Sequence, residues 1–142
     1  MQLKYRFLFV FSFIFFFGCK KNTPLFVERN PKSTGINFEN TLTPTAQFNI
    51  LTYLYYYNGA GVAVADINND GLPDLYFTGN QSADKLYLNT GNFVFEDITQ
   101  AAGIKNSDGW TTGATTVDIN HDGLLDFYVC KVAGLAISLG HN

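Results

Sequence analysis

Half of the chain's twelve acidic residues lie in two nine-residue segments, DINNDGLPD at 66–74 (the first acidic loop) and DINHDGLLD at 118–126 (the second acidic loop). Each segment holds three carboxylates and contains no Lys or Arg to balance them. Like charges held close together repel one another, and this repulsion is costly without a neutralising partner. The two segments therefore predict that a positive charge from elsewhere binds them.

The spacing of the oxygen-bearing side chains suits a metal cage. In the pattern D-x-N-x-D-G-x-x-D the first, third and fifth side chains converge when the backbone turns sharply, and glycine at the sixth position permits that turn. A backbone carbonyl at the seventh position and a carboxylate at the ninth can complete the shell. An all-oxygen set suits calcium, which takes about six to eight ligands, better than magnesium, which prefers a tight octahedron with retained waters. The predicted ligands of two calcium sites are Asp66, Asn68, Asp70, Leu72 and Asp74, and Asp118, Asn120, Asp122, Leu124 and Asp126.

A plainer interpretation of each acidic loop is a polar hairpin in which Asp and Asn side chains form Asx-turns. Two copies in register favour the metal, because turn chemistry does not require an acid at the ninth position. His121 stands at an even position of the second acidic loop, so we expect it to face solvent and not to be a ligand.

Short strands must position these loops, and they recur with a fixed period. The segments beginning at Gly61 and at Gly113 align position by position at an offset of fifty-two residues, a period expected for propeller blades or similar arrays. Within one period, alternating apolar residues and turn signals predict four strands and then a helical turn at Ile98–Gly103. The predicted strands are Gly61–Ala65, Leu75–Thr78, Lys85–Asn89 and Phe93–Asp97.

The repeated segments resemble a known family. VAVADINNDGLPDLYF and ATTVDINHDGLLDFYV are similar to FG-GAP (VCBS-type) repeats, and DKLYLNTGNFVFEDITQAAGI is similar to the linker between such repeats in the bacterial ASPIC/UnbV and cartilage-acidic-protein-like group. The resemblance implies an all-β fold, a partial β-propeller with blades of four antiparallel strands that is incomplete in this chain. It also implies calcium loops and a glycan or protein ligand.

The beginning of the chain has the layout of an export signal. Lys4 and Arg6 precede an apolar run that is too short to span a bilayer comfortably, and Gly18-Cys19 resembles the lipobox of bacterial lipoproteins. We expect a lipoprotein signal peptide at 1–18, a polar tether at 19–34 and a repeat region at 35–142. Lipid on Cys19 would anchor the exported protein to the cell envelope, with the outer membrane the expected location. An ordinary signal peptide and an uncleaved anchor remain the alternatives.

The charge and the residue pattern argue against some classes of function. Removal of Lys4 and Arg6 from the formal net charge of −3 leaves about −5, which argues against nucleic acid as a partner. The pattern of residues contains no recognisable triad, Cys-His pair or histidine metal site, and Cys130 is expected to be a small buried strand residue. We therefore expect a non-catalytic binding module; a fragment of a propeller enzyme acting on polysaccharide, or a truncated remnant, is the alternative.

The strand order also predicts where a ligand would bind. Residues that enter the first strand of each blade must lie at the end opposite its acidic loop, and aromatic side chains are concentrated there. Such rings can stack on sugars or anchor protein partners, or they can simply pack the blade junctions. The candidates for the ligand face are Tyr57, Asn58, Trp110 and Thr111.

Overall fold

The computed structural model describes residues 24–105 and 109–132. Nearly all regular structure in these ranges is antiparallel β-sheet, accompanied by one short helical turn. The all-β prediction is confirmed, and within the described residues the strands form no closed propeller. The elements are α1 (Pro31–Thr34), β1 (Val62–Ala65), β2 (Asp74–Phe77), β3 (Lys85–Asn89), β4 (Phe95–Asp97), β5 (Trp110–Val117) and β6 (Asp126–Val132).

The first sheet is a four-stranded blade in the order β1–β2–β3–β4. β1 and β2 are antiparallel, and Ala65 lies opposite Asp74 where the first acidic loop joins them. Val62 and Val64 are exposed whereas the alternate residues Ala63 and Ala65 are buried. This alternation is that of a strand with one covered face, and the two alanines of VAVA face inward while the two valines face solvent.

The turn between β3 and β4 is longer than the sequence indicated. Asn92 and Phe93 have positive φ angles of 55° and 60°, which no regular strand contains. Val94 closes the turn, because its carbonyl accepts from the Thr90 N–H at 2.8 Å. The expected strand over Phe93–Asp97 therefore begins only at Phe95, and Phe93 is an exposed turn residue.

The segment after β4 is a single hydrogen-bonded turn, in agreement with the helical turn expected over Ile98–Gly103. The Ala102 N–H donates to the Ile98 carbonyl at 2.8 Å, and the Ile104 N–H donates to the Thr99 carbonyl at 3.1 Å. These bonds reverse the chain within a few residues, and the chain then continues towards the second sheet.

The second sheet consists of β5 and β6. Val117 lies opposite Asp126 at the second acidic loop, and Trp110 lies opposite Val132 at the other end of this hairpin. Cys130, on β6, is exposed, so the prediction that it is buried was wrong. The described residues place no further strand beyond β6 in this sheet.

The two sheets pack face to face around a small core. Tyr76 and Leu86 from the first sheet are buried in it, and the Phe127 ring of β6 lies 4.7 Å from the Tyr76 ring. The backbones of the two sheets come close together at two glycines that occupy the same repeat position. A Cβ on Gly61 would lie only 2.7 Å from the Gly113 Cα, so this contact requires glycine at position 61.

A lead-in segment, residues 24–60, lies against the first sheet, where Asn37 bonds to Tyr87 of β3 and Phe38 stacks on Phe77 of β2, and it extends to Trp110 of β5. Its helical turn α1 is capped by Asn30, whose side chain accepts from the Lys32 N–H at 2.9 Å. Farther along, Asn40 and Asn80 form a reciprocal pair: the Asn40 side-chain amide donates to Asn80 at 2.8 Å, and the Asn80 N–H donates back at 2.9 Å. Asn80 is buried and also donates to the Thr111 carbonyl. One amide side chain thus connects the lead-in segment, the first blade and β5.

The predicted tether, residues 19–34, is described only in part. Its last residues form α1, where Thr34 is buried. The signal peptide and Cys19 lie outside the described residues, so those predictions stay predictions. Among the residues that the structure describes, none belongs to a helix with the length and apolar character needed to cross a bilayer.

Candidate functional site

The two acidic loops share one backbone conformation. In the first, Asn69 and Gly71 have positive φ angles of 58° and 84°; in the second, His121 and Gly123 have angles of 64° and 86°. Left-handed residues at the fourth and sixth positions turn the chain sharply enough to bring side chains and backbone N–H groups of the same loop together. The sixth position is glycine, which adopts a positive φ angle at little cost. The fourth position adopts it as Asn in the first loop and as His in the second.

Backbone N–H groups bind the carboxylates of the first acidic loop. The Asp66 carboxylate accepts from the Asp70 N–H at 3.1 Å and from the Gly71 N–H at 2.8 Å. The Asp70 carboxylate accepts from the Leu72 N–H at 2.8 Å and from the Asn68 side-chain amide at 2.8 Å. These bonds orient the side chains at the first, third and fifth positions of the loop.

The second acidic loop repeats this arrangement bond for bond. The Asp118 carboxylate accepts from the Asp122 N–H at 3.2 Å and from the Gly123 N–H at 3.0 Å. The Asp122 carboxylate accepts from the Leu124 N–H and from the Asn120 side chain. Those two bonds lower the pKa of Asp122 below its ordinary value, because they favour the charged carboxylate.

The acid at the ninth position has a second partner in the first blade. Asp74 is buried, and its carboxylate accepts from the Ile67 N–H at 3.0 Å and from the Asn89 N–H at 2.7 Å. Asp126 accepts the equivalent bond from the Ile119 N–H at 3.0 Å. The ninth-position acid therefore ties its loop to the strand behind it and, in the first blade, also to β3.

Each acidic loop offers the kind of ligands that a hard cation binds, namely carboxylate and amide oxygens together with a backbone carbonyl. Each bound carboxylate oxygen keeps a lone pair beyond the hydrogen bond that it accepts. In the arrangement described here, however, no three Asp, Glu, His or Cys side chains of residues 24–105 and 109–132 lie together as a metal-binding group. The loops are closed by their own N–H groups, and a bound cation would have to draw the carboxylates closer together.

The predicted ligand face divides into an exposed and a buried part. Tyr57 is 64% exposed and Asn58 is exposed too. Trp110 and Thr111 are only 1% and 2% exposed, so proposing them as ligand contacts was wrong. Trp110 lies under the lead-in segment, where Phe48, Tyr53 and Tyr56 surround its ring, and the packing alternative accounts for it.

A buried polar network that the sequence did not reveal supports the first blade. The Tyr76 hydroxyl donates to the Asp84 carboxylate at 3.0 Å, and the Gly79 N–H donates to the same group at 2.8 Å. Burial and the adjacent charge of Asp84 raise the pKa of Tyr76 far above its ordinary value, so the hydroxyl stays a donor at any physiological pH. An apolar strand followed by an acid gives no signal of such a bond, because the two residues meet only after β3 pairs with β2.

Comparison with protein families finds an FG-GAP-like repeat at residues 66–129, a range that contains both acidic loops. Searches of curated proteins and of solved structures find no match. The FG-GAP repeat is a non-catalytic module found in propeller-type proteins. The expected FG-GAP resemblance is confirmed at this level.

Proposed function

We propose that this chain is a non-catalytic, calcium-stabilised blade module of an exported lipoprotein that binds a glycan or protein ligand. The observation that supports calcium is the bond-for-bond repetition of one loop conformation in two segments that both carry oxygen-bearing side chains at the first, third, fifth and ninth positions. The ninth-position acid accepts a bond from the backbone of its own loop, at Ile67 or Ile119, and keeps further lone pairs for an ion.

In this proposal Asp66, Asn68, Asp70 and Asp74 would hold one ion with the Leu72 carbonyl, and the matching residues of the second acidic loop would hold another. The ion supplies the positive charge that neither loop has. The bonds from Gly71 and Gly123 leave the first carboxylate of each loop oriented before the ion arrives, which reduces the entropy lost on binding.

Calorimetric titration of calcium into the full chain tests this proposal. We expect about two ions per chain, and about one ion for either Asp66→Asn or Asp118→Asn, because each change removes one charged ligand from one loop. Glu96→Gln is the matched control, since it neutralises an exposed acid of β4 outside both loops. A full chain that folds and gives no heat of calcium binding would rule the proposal out.

The ligand is proposed to bind at the end of the blade away from the acidic loop, at Tyr57 and Asn58. Tyr57 and its neighbour Tyr55 are both well exposed, and an exposed tyrosine offers an apolar ring with a polar tip. Binding to a panel of immobilised polysaccharides should weaken in Tyr57→Ala and persist in Phe93→Ala, an exposed aromatic residue of a different surface.

Lipid attachment at Cys19 is proposed from the sequence alone. Cys19→Ser should move the protein from the membrane fraction to the soluble fraction of cells that export it, because a serine cannot carry the lipid. Retention of the variant in the membrane fraction would favour an uncleaved anchor.

A further inference from the structure

Asn58 is the only asparagine in the sequence that directly precedes a glycine. An asparagine loses its amide when the backbone nitrogen of the next residue attacks the side-chain carbonyl carbon, and glycine hinders this attack least because it has no Cβ. The pairing therefore marks position 58 for a reaction that depends on whether the two reacting groups are available in the folded chain.

Most asparagine side chains in residues 24–105 and 109–132 are held by hydrogen bonds. Asn80 and Asn89, for example, donate to backbone carbonyls at 3.0 Å and 2.9 Å. In these ranges only the side-chain amides of Asn58, Asn69 and Asn92 make no hydrogen bond. The Asn58 side chain is also exposed, so no hydrogen bond has to break before its carbonyl carbon can be attacked.

The residues that follow distinguish these three asparagines. Asp70, after Asn69, donates its N–H to a carboxylate of the first acidic loop at 3.1 Å, so that nitrogen is engaged. Phe93, after Asn92, carries a bulky side chain next to the attacking nitrogen. Gly59 has neither obstacle: its N–H donates no hydrogen bond to the described residues, and no atom outside the adjacent residues lies within 4 Å of a Cβ built on it.

We infer that Asn58 is a site of spontaneous deamidation. The Gly59 nitrogen gives its proton to solvent and bonds to the Asn58 side-chain carbonyl carbon. The bond from that carbon to the amide nitrogen breaks, and this nitrogen takes up a proton and leaves as ammonia. Water then adds to either carbonyl group of the resulting cyclic imide and opens it to aspartate or isoaspartate. No electrons are transferred, and water is the only co-reactant.

The product changes a part of the chain that carries no charge. Residues 40–65 contain no Asp, Glu, Lys, Arg or His, so the new carboxylate would be the first charge of this segment. Isoaspartate would also lengthen the backbone by a carbon atom shortly before β1. The reaction depends neither on calcium nor on the proposed ligand, but it would place a negative charge beside Tyr57, the proposed ligand contact.

Liquid chromatography with tandem mass spectrometry of the full chain, incubated in mildly alkaline buffer and sampled over time, measures the reaction at each asparagine. We expect aspartate and isoaspartate to accumulate at position 58 while Asn89 keeps its amide. The same chain unfolded in urea gives the reference rate. The folded rate should lie within about tenfold of it, since neither reacting group has a hydrogen bond to break. An amide that persists at position 58 of the folded chain, or a product without isoaspartate, would overturn the inference.

Two glycine substitutions supply a matched comparison. Gly59 and Gly103 have positive φ angles of 80° and 69° and open space around a built Cβ, so alanine strains the backbone similarly at either position. Gly59→Ala should slow deamidation of Asn58 about tenfold, because the new Cβ crowds the attacking nitrogen. Gly103→Ala should leave the rate unchanged. Equal rates in the two variants would overturn the role of the Gly59 nitrogen.

Discussion

At the scale of single residues, glycine at position 61 decides how closely the two sheets approach. Gly61 and Gly113 occupy equivalent positions of the repeat, but their surroundings differ. A Cβ on Gly61 would meet the backbone of Gly113 at 2.7 Å, whereas nothing lies within 4 Å of a Cβ built on Gly113. Equivalence in sequence therefore does not imply equivalence in packing.

This difference gives a matched pair of substitutions. Gly61→Ala should lower the free energy of unfolding by about 1–3 kcal/mol, because the clash is with backbone and cannot be relieved by a side-chain rotation. Gly113→Ala should change it by less than about 0.5 kcal/mol. Denaturant unfolding of the full chain, followed by the fluorescence of the single tryptophan, measures both. Equal losses in the two variants would show that the sheets do not meet at Gly61.

At the scale of elements, the Asp97 carboxylate stabilises the β3–β4 hairpin. Asp97 forms an ion pair with Lys85 at 2.8 Å and accepts from the N–H and the hydroxyl of Thr99. Thr99 in turn accepts from the Leu86 N–H of β3 at 3.0 Å. Partial burial acts to raise the pKa of Asp97, but the bonds from Lys85 and Thr99 outweigh it and hold the pKa below its ordinary value of 3.8.

A lowered pKa in the folded state has a defined consequence for stability. The contribution of Asp97 is fully present above pH 3.8 and is lost as the pH falls through the lower folded-state value. Asp97→Asn should therefore cost about 1 kcal/mol at pH 7, a modest figure because the pair is partly exposed, and the variant should lose less stability than the parent on acidification. Glu96→Gln is the control. If the parent and Asp97→Asn lost the same free energy of unfolding on acidification, the stabilising role of the Asp97 carboxylate would be contradicted.

The sequence predicted the features that depend on neighbouring residues. The β1–β2 hairpin and the sharp turn at Gly71 follow from local spacing, and the comparison of two such local segments gives the fifty-two-residue period. It misplaced the start of β4, because Phe93 in the apolar stretch FVF favours a strand, whereas the tertiary structure places it in a turn. It also missed the pair Asn40–Asn80, which are forty residues apart and meet only after the lead-in segment folds over the blades.

At the scale of the whole molecule, the lead-in segment and the second blade meet around one aromatic cluster. The ring of Trp110, at the start of β5, lies 5.2 Å from Phe48, 5.6 Å from Tyr53 and 5.5 Å from Tyr56. The burial of Asn80 beside the Thr111 carbonyl adds a polar link at the same place. Blade packing at this end therefore depends on residues far apart in the chain.

Removal of the Trp110 ring should accordingly lower the stability of the whole fold. Trp110→Ala should lower the free energy of unfolding by about 3–5 kcal/mol, because it leaves a cavity among three aromatic neighbours that cannot all close over it. Leu51→Ala, at a lead-in residue that is 88% exposed, should change it by less than about 0.5 kcal/mol. Thermal melts followed by circular dichroism compare the two variants, since the first has lost the tryptophan signal. A Trp110→Ala protein that melts like its parent would mean that Trp110 is not a core residue and would return it to the ligand face.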